Sequence, residues 1–247
     1  MNMIETHNLT KAYGDFKAVS KLNLHVKKGT VYGFLGPNGA GKSTTMKMFL
    51  GLTAPTRGSF TINGMSYPKD RREILRQTGS FIESPAFYGN LSGEENLDLI
   101  RRILRLPRSA VEDALELVGL TEHKKRLAKK YSLGMKQRLG LARVLASQAQ
   151  LLLMDEPFAS LDFLTRGELQ SQLLAIQKKL PRTIVLVTHQ LEEALLLGQK
   201  IVVMHPDSTI REFDLSALPY PRDVEQPVLR ALKAEITDEC RKPTASE

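Results

Sequence analysis

Residues 31–50 read VYGFLGPNGAGKSTTMKMFL, and this stretch decides the fold of the chain. An apolar run at 31–35 predicts a buried strand, and periodic apolar residues over 42–50 predict a helix. Between them, residues 36–44 match the pattern G-x-x-x-x-G-K-[ST]. A strand, a glycine-rich turn and a helix are the context in which this pattern holds a nucleotide phosphate. The stretch therefore predicts a phosphate-binding loop.

Each residue type in this loop has a chemical reason. Glycines let the backbone turn tightly, so that successive N–H groups face phosphate oxygens. The Lys42 side chain supplies a cation to the β- and γ-phosphates, and the Ser43 hydroxyl can ligate Mg²⁺. We expect a nucleotide to be held by Gly36, Pro37, Asn38, Gly39, Ala40, Gly41, Lys42, Ser43 and Thr44.

The sequence LLLMDEP, residues 151–157, supplies two carboxylates after a second apolar run. A buried strand would deliver Asp155 to the carboxyl edge of a sheet, where it can hold Mg²⁺. Glu156 should point elsewhere, because side chains alternate along a strand. A carboxylate near the γ-phosphate can act as general base toward water. The alternative is that the two acids only favour the start of a following helix.

The rest of the chain reads as an α/β protein. Turn signals near Gly14 and Gly29 separate short antiparallel strands, which we place at 3–8, 16–20 and 22–27. Residues 85–147 are helical in pattern, and Ser109 is a candidate helix cap. Apolar strands at 151–155, 183–187 and 201–204 alternate with helices, which favours a parallel sheet. After His205 the pattern weakens to a polar helix.

Composition limits the possible partners and the compartment. The 247 residues can bury a sizeable core, and a formal net charge of +8 suggests an anionic partner, although surface solubility explains it equally well. Cys240 is the only cysteine, which excludes an internal disulfide and fits a reducing compartment. We see no secretory signal and no apolar run long enough to span a bilayer. If the protein works at a membrane, another chain must cross it.

With these motifs in order, residues 3–213 resemble the ATP-binding subunit of an ABC transporter. The segment YSLGMKQR, residues 131–138, stands where that family has its signature sequence. The resemblance implies that Ser132 and Gly134 face the γ-phosphate bound by a second subunit, and Ser132 can cap a helix there. Leu133 and Met135 depart from the family pattern. The alternative is a capped helix without this role.

Three further residues take their expected roles from the resemblance. In FASLD, Asp162 corresponds to the carboxylate of the loop that couples the two ATP sites of a dimer. In VTHQLEEA, His189 corresponds to the family's switch histidine, which senses the γ-phosphate; otherwise it is a packing or capping residue. Tyr13 corresponds to the aromatic residue that stacks on adenine; otherwise it is an ordinary tyrosine at a strand end.

A departure from the family occurs in GSFIESPAFYGNLSGEENL, residues 79–97. Most members have glutamine where this chain has Glu83, and that residue ligates Mg²⁺ and helps to place water. Glutamate offers two charged oxygens but no donor, so metal coordination would survive and donation would not. An exposed and merely tolerated Glu83 is the alternative. This segment, with residues 131–138, resembles bacitracin-resistance exporters and lantibiotic self-immunity transporters.

The resemblance implies a RecA-like P-loop NTPase core with an antiparallel β subdomain and an inserted helical subdomain near 85–150, followed by an accessory tail at 214–247. It implies Mg²⁺-dependent ATP hydrolysis in a dimer, expected to be a homodimer, that drives export through a separate permease. We expect a cytoplasmic location on the inner membrane face and no nucleic-acid partner. Basic residues of the helical region are candidates for contact with anionic lipid headgroups. The alternatives are an importer, a membrane-signalling complex or a soluble ATPase of the family.

Overall fold

The computed structural model describes residues 1–82, 87–159 and 161–242. In chain order the elements are β1 (Asn2–Tyr13), β2 (Phe16–Leu22), β3 (His25–Lys27), β4 (Val31–Leu35), α1 (Lys42–Phe49), β5 (Arg57–Ile62), β6 (Met65–Ser66), α2 (Arg71–Arg76), β7 (Thr78–Ile82), α3 (Gly93–Leu104), α4 (Ser109–Leu117), α5 (Leu133–Ala146), β8 (Leu151–Asp155), α6 (Phe163–Lys179), β9 (Thr183–Val187), α7 (Leu191–Leu197), β10 (Lys200–Met204), β11 (Ile210–Asp214) and α8 (Pro227–Cys240). Two single 3₁₀ turns, Thr121–His123 and Ala128–Lys130, lie between α4 and α5.

The chain forms two compact units. One contains residues 1–75 together with 183–247, and the other contains residues 76–182. The second unit includes the helices expected near 85–150, and also β7, β8 and α6. Among the helices of the described residues, none combines the length and the apolar character needed to traverse a lipid bilayer.

The first unit opens with an antiparallel sheet, as the alternating sequence predicts. Strand β1 pairs with β2, β3 and β5, and β5 pairs in turn with β6. Strand β1 is longer than expected and runs to Tyr13, where Gly14 turns the chain with φ of 58°. A left-handed backbone at this point suits glycine, which has no Cβ to clash.

The second sheet of this unit carries the glycine-rich loop. Strands β9, β4 and β10 run parallel, and all five residues of each are buried. Such continuous apolar strands require cover on both faces, as the sequence indicated. Strand β11 adds antiparallel to β10, and the sequence analysis missed it. Its signal is weak because only Phe213 of its five residues is buried.

Helix α8 packs as part of the core of the first unit. Its polar sequence predicted a helix in this region but did not show what the helix covers. Leu229 and Ile236 are buried in an apolar cluster that α8 shares with α7, β10 and β11. The helix buries few side chains, so its apolar stripe is narrow and its burial was hard to predict.

Within its described residues, the second unit combines two parallel strands with four α-helices. Strands β7 and β8 pair in register from Thr78 to Ile82 and from Leu151 to Asp155. Ser92 caps α3 in a capping box with Glu95. The expectation that Ser109 caps α4 was wrong, because Ser109 is the first helical residue. The carbonyl oxygen of Pro107 accepts from the N–H of Ala110, so the helical turn begins earlier than expected.

Candidate functional site

Residues 36–44 form the connection between β4 and α1. The backbone takes positive φ values of 145° at Gly36, 87° at Gly39 and 92° at Gly41. A Cβ on Gly36 would lie 2.2 Å from the carbonyl oxygen of Met204, and one on Gly41 would lie 2.3 Å from that of Ala18. Both distances are far below van der Waals contact, so glycine is required at these two positions. The loop is thus held between β10 on one side and β2 on the other.

Lys42 lies at the junction of this loop and α1. Its ammonium donates to the carbonyl oxygens of Gly36, at 2.7 Å, and Pro37, at 2.9 Å. The first helical hydrogen bond runs from the Thr45 N–H to the Gly41 oxygen, so the N–H groups of residues 42–44 belong to the positive helix end. No acidic residue occupies this first turn. A buried cation and a helix N-terminus together suit a phosphate group.

His189 lies at the same sheet edge as the loop. Strands β4 and β9 are parallel neighbours with Phe34 opposite Val187, and the Thr188 N–H donates to the Phe34 oxygen at 3.1 Å. His189 follows directly and is exposed. The Thr188 hydroxyl donates to Glu193 at 2.6 Å and accepts from the Gln190 N–H at 3.0 Å. These bonds fix the backbone on both sides of the histidine.

Tyr13 ends β1 and is 53% exposed. The Lys11 ammonium lies 4.8 Å from the ring centroid, within the range of a cation–π contact. Val19, on the neighbouring strand, pairs with Lys11, and its side chain reaches the glycine loop at Gly41. The exposed aromatic ring and the loop are therefore joined through adjoining strands β1 and β2.

The two carboxylates after β8 differ in exposure and backbone. Asp155 is the last strand residue and is 7% exposed, whereas Glu156 is exposed. Strand alternation predicted that the side chains of Asp155 and Glu156 point in opposite directions. However, β8 ends before Glu156, which has a left-handed φ of 48°. The turn after β8 therefore sets the direction of the Glu156 side chain. Positive φ is uncommon outside glycine, and such backbone strain is concentrated at functional sites.

Glu83 lies outside the described residues. The preceding residue, Ile82, pairs with Asp155 across β7 and β8. Strand β7 therefore ends level with the buried carboxylate.

Asp162 has a capping function that the sequence analysis missed. It is the N-cap of α6, and its carboxylate accepts from the Thr165 N–H at 3.0 Å. This hydrogen bond is the main cause that holds the pKa of Asp162 below its ordinary value. An aspartate immediately before a helical pattern is a standard N-cap signal and could have been recognised.

Ser132 caps α5, as the sequence predicted. Its hydroxyl accepts from the Met135 N–H at 3.2 Å. A Cβ on Gly134 would lie 2.9 Å from the Thr165 side chain, so the first turns of α5 and α6 touch. Ser132 and Asp162, which are the caps of these two helices, therefore belong to one surface of the second unit.

The same surface is unusually apolar for an exposed one. Leu133 is 53% exposed, Phe163 86% and Leu164 74%. Isolated exposed apolar residues are normal, but three of them beside two helix N-termini mark a surface suited to protein contact. The sequence analysis named Leu133 only as a departure from the family pattern, and it did not single out Phe163 or Leu164.

The residues expected to hold Mg²⁺ have suitable donor chemistry. Mg²⁺ prefers oxygen ligands and is usually bound through one or two carboxylates, waters and substrate phosphates. Asp155 offers a carboxylate at the end of β8, and Ser43 offers a hydroxyl in the first turn of α1. Within the described part of the chain, no group of three or more His, Cys, Asp or Glu side chains forms a metal cluster.

Comparison with known families and sequences gives consistent results. The family model described as ABC transporter matches residues 19–159. The chain is 43% identical to the bacitracin transport ATP-binding protein BcrA of Enterococcus faecalis, over 87% of this chain and 70% of that protein. It is 39% identical to the lantibiotic transport ATP-binding protein SrtF of Streptococcus pyogenes, over 85% of this chain and 90% of that protein.

A solved structure gives the same result for the fold. The ATP-binding cassette MJ0796, a dimer in a post-hydrolysis state bound to ADP and Pi, superposes with a TM-score of 0.76 and 26% identity. The match covers 86% of this chain and 99% of that one. The α/β architecture of a P-loop NTPase is therefore shared along nearly all of the solved cassette.

Proposed function

Because the chain belongs to the ABC transporter family, as an ATP-binding subunit that hydrolyses ATP, we propose that it powers export of a peptide antibiotic through a separate permease. The support is its likeness to relatives named for bacitracin and lantibiotic transport. The segment around Glu83 and residues 131–138 favours the same subgroup. The direction of transport and the class of cargo are part of this proposal.

The observation that carries the ATP site is the loop of residues 36–44. Its close-packed glycines and the enclosed Lys42 ammonium suit a triphosphate. We assign ATP binding to this loop, with Lys42 as the cation for the β- and γ-phosphates. Tyr13 supplies an exposed ring for the adenine base, at the end of a strand whose neighbour contacts the loop.

The hydrolysis step is assigned to residues at the strand ends. Glu156 is the general base, because it is an exposed carboxylate held in a strained turn directly after the buried Asp155. His189 is the γ-phosphate sensor, since it follows β9 at the edge from which the glycine loop departs. A histidine there can donate a hydrogen bond to a phosphate oxygen and lose it after hydrolysis.

Mg²⁺ would be held by Ser43, Asp155 and Glu83. When bound, the ion would neutralise charge on the β- and γ-phosphates. Buried Asp155 supplies a carboxylate oxygen, and the Ser43 side chain supplies a hydroxyl oxygen. A glutamate at position 83 adds a second carboxylate to this set.

Two copies of the chain would complete each site. We assign Ser132 and Gly134 to the γ-phosphate bound by the other copy, and Asp162 to coupling between the sites. The capped N-terminus of α5 suits an anion. Leu133, Phe163 and Leu164 are exposed beside it and would be covered in the dimer. Among solved relatives, the cassette MJ0796 is a dimer, and cbiO1 of Clostridium perfringens is part of an ABC transporter complex.

The chain would lie on the inner face of the membrane through its permease. Arg105 and Arg108, at the α3–α4 connection, the half-buried Lys124 and the exposed lysines Lys125, Lys129 and Lys130 are candidates for contact with anionic headgroups. Arg101 and Arg102 contribute less, because both pair with Asp98.

The experiment that tests this function is purification of a tagged copy from membranes of the source cell, with mass spectrometry of what accompanies it. A stoichiometric polytopic protein without its own ATPase would support the transporter subunit. Deletion should then lower resistance to bacitracin or a lantibiotic, and Lys42→Ala should fail to restore it. Restoration by Lys42→Ala, or unchanged resistance on deletion together with impaired uptake of a solute, would contradict peptide export.

A further inference from the structure

Glu239, in the last turn of α8, is a buried carboxylate surrounded by donors. It is 5% exposed. It accepts hydrogen bonds from the Lys242 ammonium at 2.8 Å and from the Arg211 guanidinium. Nε2 of His205 lies 3.1 Å from its other oxygen. An ionised carboxylate can only accept, so this His205 nitrogen must carry the proton and donate.

His205 begins the turn that joins β10 to β11. The turn is closed by two backbone hydrogen bonds, from the His205 N–H to Thr209 at 2.9 Å and from the Ser208 N–H to His205 at 2.8 Å. His205 and Ser208 are both buried. The turn is therefore a compact unit, and Glu239 holds it through the histidine ring.

This turn lies directly against the phosphate loop. The carbonyl oxygen of Met204, the residue before His205, occupies the space that a Cβ on Gly36 would need. The Met204 side chain also reaches Gly41, 3.2 Å from its Cβ position. On the other side, the Ser208 hydroxyl accepts from the Ser20 N–H of β2 at 2.8 Å. Movement of the turn would therefore shift Met204, which packs against the phosphate loop at Gly36 and Gly41.

We propose that Glu239 is a positioning residue for ATP binding: through His205 it holds the end of β10 at Met204, and the turn that follows, against the phosphate loop, so that helix α8 shapes the nucleotide site. The inference rests on the proposed assignment of residues 36–44 as the ATP site. Attachment of α8 does not need this carboxylate alone, because Leu229 and Ile236 anchor the helix in the apolar cluster. Losing Glu239 should therefore loosen the turn more than it detaches the helix.

The test compares Glu239→Ala with Glu235→Ala in the full chain. Glu235 is one helical turn earlier and accepts a hydrogen bond from the Arg211 guanidinium. We expect Glu239→Ala to raise KM for MgATP, and the Kd of a fluorescent ATP analogue, several-fold above the values for Glu235→Ala, with kcat little changed. Glu239→Gln, which keeps the size of the side chain, should shift KM in the same direction if the alanine variant folds poorly.

His205 supplies the second arm of the test. His205→Ala should reproduce the KM shift, whereas His205→Gln, whose amide can still donate to Glu239, should restore part of the affinity. A lowered thermal midpoint with KM equal to that of Glu235→Ala would overturn the proposal and leave only a structural role. If Lys42→Ala loses ATP binding while the Glu239 variants keep it, this inference alone fails. If Lys42→Ala also binds normally, the site assignment fails.

Discussion

The carbonyl oxygen of Gly36 accepts a hydrogen bond from the Lys42 ammonium, with 2.7 Å between the two atoms. The first and the seventh residues of the glycine-rich motif are thereby joined, and the charge of Lys42 is held inside the turn that the backbone makes. The backbone conformation of the loop therefore determines where the Lys42 ammonium lies.

Replacing Lys42 by alanine should abolish tight ATP binding and hydrolysis, because the loop loses the cation that faces the phosphates. Equilibrium binding of ATP measures this directly. The matched control is Lys47→Ala on the same helix, which should bind ATP close to the wild-type affinity. An equal loss of ATP affinity in the two variants would show that the effect comes from disturbing helix α1 and not from removing the Lys42 cation.

Replacing Gly36 by alanine should be more damaging than replacing Gly39. Both residues have positive φ, so each change strains the backbone by about 1–3 kcal/mol. Only the Gly36 substitution also creates a steric clash. A Cβ at Gly36 would lie 2.2 Å from the Met204 carbonyl oxygen, whereas a Cβ at Gly39 would have no heavy atom within 4 Å. Urea denaturation should give a lower free energy of unfolding for Gly36→Ala than for Gly39→Ala, and Gly36→Ala should also bind ATP more weakly. The reverse order would refute close packing of the loop.

Replacing Glu156 by glutamine should preserve ATP binding and slow hydrolysis by roughly 100- to 10,000-fold, the usual range for a lost general base. Slow turnover should also accumulate an ATP-bound dimer, which size-exclusion chromatography detects. Glu112→Gln, an exposed acid on α4, serves as the control and should hydrolyse at the wild-type rate. Wild-type turnover by Glu156→Gln would exclude this residue as the base.

Ser132 and Ser92 allow capping to be separated from catalysis. Each serine caps a helix of the second unit, so replacing either by alanine should destabilise the protein by about 1 kcal/mol. Only Ser132→Ala should also lower ATP hydrolysis, because only this residue is assigned to the γ-phosphate of the partner copy. Thermal unfolding and steady-state ATPase assays on the same samples decide the matter. Equal ATPase losses would reduce Ser132 to a structural cap.

The contribution of Glu239 to stability should depend on pH. Its hydrogen bonds, first that from Lys242 and then that from Arg211, lower its pKa from 4.5 to about 2 in the folded chain. A lowered folded-state pKa stabilises the fold above the unfolded value, and the effect is lost as pH falls through the folded value. The difference in free energy of unfolding between wild type and Glu239→Gln should therefore shrink as pH falls from 4.5 to about 2. Acid titration of urea unfolding measures it, and a gap independent of pH would contradict the ion pairs.

Local patterns in the sequence determined much of this protein. The buried strands Leu151–Asp155 and Thr183–Val187 are continuous apolar runs, and an apolar run alone predicts burial on both faces. The phosphate loop was recognisable because glycine and lysine occur at a spacing that backbone geometry demands. The cap at Ser132 was predictable because capping involves residues only three apart.

Tertiary structure decided what depends on residues distant along the chain. Strand β11 and helix α8 owe their positions to pairing with β10 and to a shared apolar cluster, not to strong local patterns. The left-handed backbone of Glu156 arises where β8 ends and the chain must turn. The Ser20–Ser208 hydrogen bond joins residues 188 apart, and the Glu239–His205 contact joins residues 34 apart. A sequence pattern reflects the preference of each residue for a local backbone structure. Contacts between distant residues form only once the intervening strands have paired.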